Sequence, residues 1–412
     1  MKNVKQTVQC FNLFIWAFCA NSIAASAWHD TGEVFLYNKQ YKEAADYYYR
    51  LTTEEPTSVH VHRNYQDACF AGNDSMRKEV LALYRRMYQE DSTNALFCYL
   101  YGRCLPCDEG MEYFDAAIRH VPCDTWALNA RGACYFEDGD LHNAKEAFLK
   151  AIKCEPDFGE AYQNLSQVYL QKKQQRRAKK VFRKLIARDR SRAQSYEWLG
   201  DMYLNQESYQ YARMGYQKAV KLGRTGPAIF FKLGYTHFRE KKFLYAKESY
   251  LQSIACGNAT YEVYYNLGAT YEQIDMPEEA LESYQRSFDL HADHAVLYSM
   301  GSCAVQLGLY TKAIESYNAF LKYEPKNTEA LTGLANAYQL KKEYDNAIAI
   351  YKKIISIDDT NAKAYYNLGS IYAYYLKEYE NMERYWGKYI DLFPDEKDSR
   401  FIQKEMEKIT NH

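Results

Sequence analysis

A small residue followed four positions later by an aromatic recurs along this chain at almost constant spacing. Ala144/Phe148, Ala178/Phe182, Ala212/Tyr216, Ala246/Tyr250, Ala280/Tyr284, Ala313/Tyr317 and Ala347/Tyr351 step by 34 residues, with a single step of 33. Twelve residues before each alanine stands another small residue: Gly132, Ser166, Gly200, Gly234, Gly268, Gly301 and Ala335. Three further on comes Tyr135, Tyr169, Tyr203, Tyr271 or Tyr338, with His237 and Ala304 as departures. A period of this length makes each unit one supersecondary element that packs only on its neighbours. Spacings of three, four and seven within each half are helical, so a unit holds two amphipathic helices joined by a short polar turn. The small residue lets the second helix approach the first, and a bulky side chain there would overpack the contact by about 1–3 kcal/mol. Pro156 and Pro325 end two of the units.

The wording inside the period is specific. "YNLGATY" and "EEALESY" (within Tyr264–Phe288), "YYNLGSIY" (Tyr365–Tyr372) and "WLGDMY" (Trp198–Tyr203) share one template. It resembles the tetratricopeptide repeat, W-x2-L-G-x2-Y, then A-x3-F, then P over 34 residues. The resemblance implies an all-α, right-handed superhelical α-solenoid of about eleven helix-turn-helix repeats. Less regular units flank the middle. The stretch from Trp28 to Pro56 fits with Thr31 in the Leu place, and Val59 to Asn94 fits with a longer turn at "GNDS". Ala95 to Asp124 is about four residues short and is cut by Pro106. The last unit, Ala362 to Glu396, carries one extra residue, with Met382 and Trp386 in place of the alanine–aromatic pair. "KDSRFIQKEMEKIT" reads as a helix capping the last apolar face. The expected organisation is 1–27 a leader, 28–124 degenerate repeats, 125–396 the regular array and 397–412 the cap. A chain of 412 residues would otherwise suggest two or three domains, but the repeats leave no stretch long enough for a catalytic one.

The leader reads as a secretory signal peptide: Lys2 and Lys5, the apolar run Cys10 to Ala20, then the small triplet Ala25-Ser26-Ala27. The apolar run is shorter than the ~20 residues of a spanning helix. Export to the periplasm or cell envelope is therefore expected, with a cytoplasmic protein as the alternative. Nine cysteines lie beyond residue 27, an odd number that cannot all pair within one chain. Cys104 and Cys107 form a C-x-x-C that can close as a structural disulfide or cycle with a dithiol; no second pair at zinc spacing follows. Cys134, Cys154, Cys256 and Cys303 read as small apolar packers. No Gly-rich phosphate loop, G-x-S-x-G or H-E-x-x-H occurs. The chain thus reads as non-catalytic, without a cofactor, metal or small-molecule substrate. A net charge of -1 points to no nucleic-acid partner.

Such arrays act through the inner face, and the resemblance implies that first helices line a concave groove for a peptide or protein segment. Residues one after the first aromatic of each unit then face the groove: Asn129, Gln163, Glu197, Phe231, Tyr265, Tyr298, Thr332 and Tyr366. Tyr235, four after Phe231, shares its face. Phe231, Tyr235, Tyr265 and Tyr298 either form an aromatic strip for a guest along the middle of the groove or finish the packing between adjacent first helices, and Tyr366 is a further groove position. Gln163, Gln167, Asn266, Asn336 and Asn367 supply amides able to bond a peptide backbone. A second feature is Gln171 to Arg192, with eleven Lys or Arg against Asp189 alone. Lys172, Lys173, Arg176, Arg177, Lys179, Lys180, Arg183 and Lys184 form its basic patch, either a solvated helix face or a surface for an acidic protein, an anionic polymer or a membrane. Two functions follow: a scaffold or adaptor that captures a protein segment, in envelope assembly or transport, or a binding module for an anionic surface.

Overall fold

A computed structural model of the chain describes residues 31–36, 38–394 and 397–410. The leader expected over 1–27 lies outside the described residues. The chain divides into two compact units, Met1–Ala259 and Thr260–His412. All described elements are helices, arranged as successive hairpins.

The first unit pairs α1 (31–36) with α2 (Tyr41–Glu54), α3 (Val59–Ala71) with α4 (Asp74–Glu90), and α5 (Ala95–Gly102) with α6 (Cys107–His120). It continues with α7 (Thr125–Glu137) and α8 (Leu141–Cys154), α9 (Gly159–Gln171) and α10 (Gln175–Arg188), α11 (Ala193–Leu204) and α12 (Tyr209–Lys221), α13 (Pro227–Arg239) and α14 (Phe243–Ala255). The second unit pairs α15 (Tyr261–Gln273) with α16 (Pro277–Leu290), α17 (His294–Gln306) with α18 (Tyr310–Leu321), and α19 (Thr328–Leu340) with α20 (Tyr344–Ile357). Its last pair is α21 (Ala362–Ser370) with α22 (Tyr379–Leu392), and α23 (Lys397–Thr410) closes it by burying Ile402.

The recurrent small–aromatic register works by close approach. A Cβ built on Gly132, Gly200, Gly234 or Gly268 would stand 2.6–2.8 Å from the ring of Phe148, Tyr216, Tyr250 or Tyr284. Those four rings are fully buried. Between paired helices the chain reverses through one left-handed residue per period: Gly139, Lys173, Glu207, Lys241, Asp275, Gly308, Lys342 and Lys377 all have positive φ.

The irregular units bend the same rules. Pro106 occupies the N-cap of α6 and leaves α5 only 8 residues, so Gly102 faces Phe114 at a shortened spacing. The extra residue of the last unit is absorbed by a π-helical turn, Ile371–Leu376, between α21 and the turn to α22. The expected long turn at "GNDS" is corrected. Only Gly72 and Asn73 separate α3 from α4; Asn73 caps α4, and the surplus length makes that helix 17 residues long.

Within the first unit the first hairpin returns to the seventh. The Asn38 side chain donates to the Gly257 carbonyl and accepts from the Ala259 N–H at 2.7 Å. Gly257 has φ +97, and a Cβ there would meet Val34 at 2.8 Å, so both backbone and space call for glycine.

Candidate functional site

First helices of the first unit, together with Cys107 and Phe114 of α6, line an open cavity of about 680 Å³. Arg63 comes from α3, Tyr99 from α5, Asn129 and Cys134 from α7, Gln163 and Asn164 from α9, and Gln194 and Trp198 from α11. Of the inner-register positions named from the sequence, Asn129 and Gln163 line this cavity, and the other six do not. Arg63 Nη1 donates to Glu160 Oε1 at 2.6 Å, a contact across 97 residues that holds α3 opposite α9. The same guanidinium lies 4.4 Å from the centre of the Trp126 ring. Its Nε is buried without a hydrogen-bond partner. Arg103 is held by Asp67 and Gln66, each at 2.7 Å. Asn164 donates to Asn129 at 2.9 Å. Gln163 is half-buried, Gln194 is exposed, and neither side chain bonds any described residue. The wall is therefore polar: Arg63, Glu160 and Arg103 are held in ion pairs, while Glu137 has no ion-pair partner among the described residues and the amides of Gln163 and Gln194 are unbonded.

Between α11 and α13 the inner face is closed by charge. Glu197 is buried and accepts from Arg224 Nε at 2.8 Å and Lys232 Nζ at 3.0 Å. Lys232 also reaches Asp201 at 2.9 Å, and the Tyr216 hydroxyl donates to Asp201 at 2.8 Å. Burial works against the Glu197 charge, but Lys232 and Arg224 outweigh it and hold its carboxyl below the usual range. The residue at this inner position is spent on folding rather than left for a guest.

The cysteines pair differently from the sequence expectation. Cys107 bonds Cys134, and Cys123 bonds Cys154, with Cα separations of 5.3 and 5.4 Å. Cys104 is free, so a Cys104–Cys107 bridge is not formed. Pro106 starts α6 and turns Cys107 toward α7, whereas Cys104 points into the core. There it accepts from Gln66 Nε2 at 3.3 Å and donates to the Leu100 carbonyl at 3.4 Å. Burial pushes its thiol up to about 12, which leaves it unreactive. Cys134 and Cys154 are bridge partners rather than apolar packers, while Cys303 is a buried free thiol as expected. Both bridges tie the α5/α6 hairpin and its exit loop to α7/α8, and Cys107 and Cys134 belong to the cavity wall.

The aromatic candidates share one arrangement. Phe231, Tyr265 and Tyr298 lie 5.7–5.8 Å from the buried rings of Tyr250, Tyr284 and Tyr317, each on the second helix of its own hairpin. Tyr366 lies 6.0 Å from Tyr389. Tyr265 keeps 37% of its surface open, and the other three are half-buried. Phe231 and Tyr235 belong to the first unit; Tyr265, Asn266, Tyr298, Asn336, Tyr366 and Asn367 belong to the second. The Tyr235 hydroxyl accepts from Arg239 at 2.6 Å, and Asn266 donates back to the Glu262 carbonyl at 2.7 Å. Gln167 is half-buried one turn beyond Gln163, and Asn336 is exposed.

Two family profiles described as tetratricopeptide repeat match residues 298–362, and 261–294 with 362–396. A third, described as the tetratricopeptide repeat protein 21 C-terminal ARM domain, matches residues 141–249. The chain is a tetratricopeptide-repeat protein. Among solved structures it is similar to YrrB, described as a tetratricopeptide-repeat protein with an unusual peptide-binding site (20% identity, 45% of this chain and 96% of that one, TM-score 0.43). MamA is similar at 26% identity over 42% of this chain and 94% of that one, with a TM-score of 0.39. The C-terminal part of a repeat-containing protein from Cytophaga hutchinsonii is similar at 18% identity over 66% and 96%, with a TM-score of 0.41. No curated protein matches in sequence. In this repeat protein the basic patch falls on α10 and the turn before it. Lys172 and Lys173 sit in the turn, with Lys172 donating to the Leu141 carbonyl at 3.2 Å, and the other six side chains lie on the helix.

Proposed function

We propose that this repeat protein is a non-catalytic scaffold whose first unit captures an extended segment of another protein in the cavity between α3, α5, α7, α9 and α11. Tetratricopeptide repeats generally mediate protein–protein interaction. The observation that carries the reading is a polar cavity of about 680 Å³ with unbonded amides at its wall. Gln163 and Gln194 each offer a donor and an acceptor, which matches the paired N–H and C=O of an extended backbone. Trp198 and Tyr99 supply apolar surface for a side-chain anchor. Phe231 and Tyr235 on α13, and Tyr265, Tyr298 and Tyr366 with Asn266, Asn336 and Asn367 in the second unit, are further contact positions in this reading.

We place the protein outside the cytoplasm, in the periplasm or envelope, where it would serve assembly or transport. Two disulfides between neighbouring hairpins support an oxidising compartment, and so does the leader-like order of residues 1–27. N-terminal sequencing of the protein from its native cell tests this: a start at Trp28 agrees, and an intact Met1 does not.

The groove itself is tested by selecting displayed random peptides on the full chain. Selected peptides should bind the wild type and lose about tenfold or more when Gln163 and Gln194 are both changed to Ala, since each bonded amide contributes about 1 kcal/mol. Ala133 of α7 lines the cavity, and Ala133→Trp, which fills it, should abolish binding. Equal binding to these variants, with helicity retained, refutes a groove in the first unit.

A further inference from the structure

The outer surface of the first unit carries two adjoining faces that groove capture does not use. α10 has seven Lys or Arg and no Asp or Glu in its 14 residues. Ala178, Phe182 and Leu185 turn inward, leaving Arg176, Arg177, Lys180, Arg183 and Lys184 exposed. Arg188 is paired with Asp157 at 2.9 Å, but none of these five reaches a carboxylate among the described residues. Arg177 bonds only the amide of Gln174.

The next two outer helices are open and apolar. Tyr211 and Met214 on α12 keep 56% and 54% of their surface, and Leu244 and Tyr245 on α14 keep 65% and 67%. Leu251, two turns along α14 from Leu244, is exposed as well. Exposed large apolar side chains are ordinary when scattered, but grouped on neighbouring helices they mark an interaction surface. The two faces are continuous. The Lys179 ammonium lies 4.9 Å from the centre of the Tyr203 ring, and Tyr203 stacks on Tyr211 at 5.2 Å. Arg213 of α12 bonds Glu240 at the end of α13 at 2.6 Å, and Tyr245 stacks on His237 of that helix at 5.4 Å.

We propose that this outer face docks the protein on an anionic lipid surface. The α10 cations meet the phosphates and carboxylates of the headgroups, and Tyr211, Met214, Leu244 and Tyr245 enter the boundary between headgroups and acyl chains. Tyrosine suits that boundary, with an apolar ring below and a hydroxyl in water. The pairing of an uncompensated cationic helix with aliphatic side chains beside it favours lipid over nucleic acid. A nucleic-acid surface interleaves its stacking rings with the cations and has no use for Leu244 or Met214. The groove is lined mainly by first helices, with Cys107 and Phe114 of α6, and stays open when α10, α12 and α14 are docked.

The test is sedimentation of the full chain with vesicles of phosphatidylcholine alone or mixed with phosphatidylglycerol. The protein should pellet only with the anionic vesicles and be released by salt. Changing Arg176, Arg177, Lys180 and Arg183 together to Gln should weaken association by about a hundredfold or more. Leu244→Ser with Tyr245→Ser should weaken it by about tenfold and leave the salt dependence unchanged. Circular dichroism confirms that both variants fold. Failure of the wild type to bind overturns the proposal. So does wild-type binding by both variants, which would put the association elsewhere in the chain. Competition by polyglutamate or duplex DNA with no loss in the Leu244/Tyr245 variant also overturns it, making the face a polyanion site instead.

Discussion

Gly268 and Gly387 both lie inside helices of the second unit, yet the same substitution should act on them with opposite signs. A Cβ on Gly268 would stand 2.8 Å from Cδ1 and Cε1 of Tyr284. That ring is fully buried, and its hydroxyl is bonded to Glu272, so it has little room to give. Overpacking of this kind costs about 1–3 kcal/mol. Replacing a mid-helix glycine with alanine returns about 1 kcal/mol of backbone entropy. Gly268→Ala should therefore lower stability by about 0–2 kcal/mol. At Gly387 the added Cβ would meet nothing within 4 Å beyond its own stretch of helix backbone, so Gly387→Ala keeps only the gain and should raise stability by up to about 1 kcal/mol. Repeat arrays open locally, so hydrogen exchange of α15, α16 and α22 reports each change better than a single melting curve. In a Tyr284→Leu background the cost of Gly268→Ala should shrink, as a double-mutant cycle would show. If Gly268→Ala stabilises as much as Gly387→Ala, the close-approach account of the repeat is wrong.

Three further expectations follow from the first unit. The bridges close loops with sequence separations of 27 and 31, so removing either should cost about 3–4 kcal/mol in the chain-entropy account and raise exchange in α6–α8. Peptide mapping without reduction should join Cys107 to Cys134 and Cys123 to Cys154; a Cys104–Cys107 peptide would contradict the structure. His237 is held down to about 4, first by burial and then by the Arg213 charge. The unfolded chain takes up this proton near pH 6.5 and the folded one only near 4, so stability should fall as pH drops through that window. His237→Gln should flatten the loss in a pH series of melting temperatures, and an unchanged slope would count against it.

The sequence carried the array well because the repeat rests on local spacing. Gly132 and Phe148, or Gly268 and Tyr284, lie 16 residues apart in one hairpin, and their meeting follows from helix geometry alone. The extra residue near Tyr372 was visible, but its absorption by a π-turn was a choice between loop and helix that spacing leaves open. Surplus length near Gly72 went into α4 because Asn73 caps that helix early. The cavity was harder. Gln163 fell out of the inner register, but Arg63 belongs to an irregular unit and meets Glu160 across 97 residues, a separation no periodicity encodes. Cysteine pairing depended on which way Pro106 turns Cys107, and that direction is tertiary. The division at Ala259 falls inside an even 34-residue rhythm and leaves no mark on it.

The most direct measurement places a photo-crosslinking side chain at Gln163, Gln194 or Met214 of the full chain, in the presence of a selected peptide. The account predicts that the peptide is trapped from Gln163 and Gln194, in the cavity of the first unit, and not from Met214 on the outer face. Trapping from Met214 alone, or from none of the three while the peptide remains bound, would contradict it.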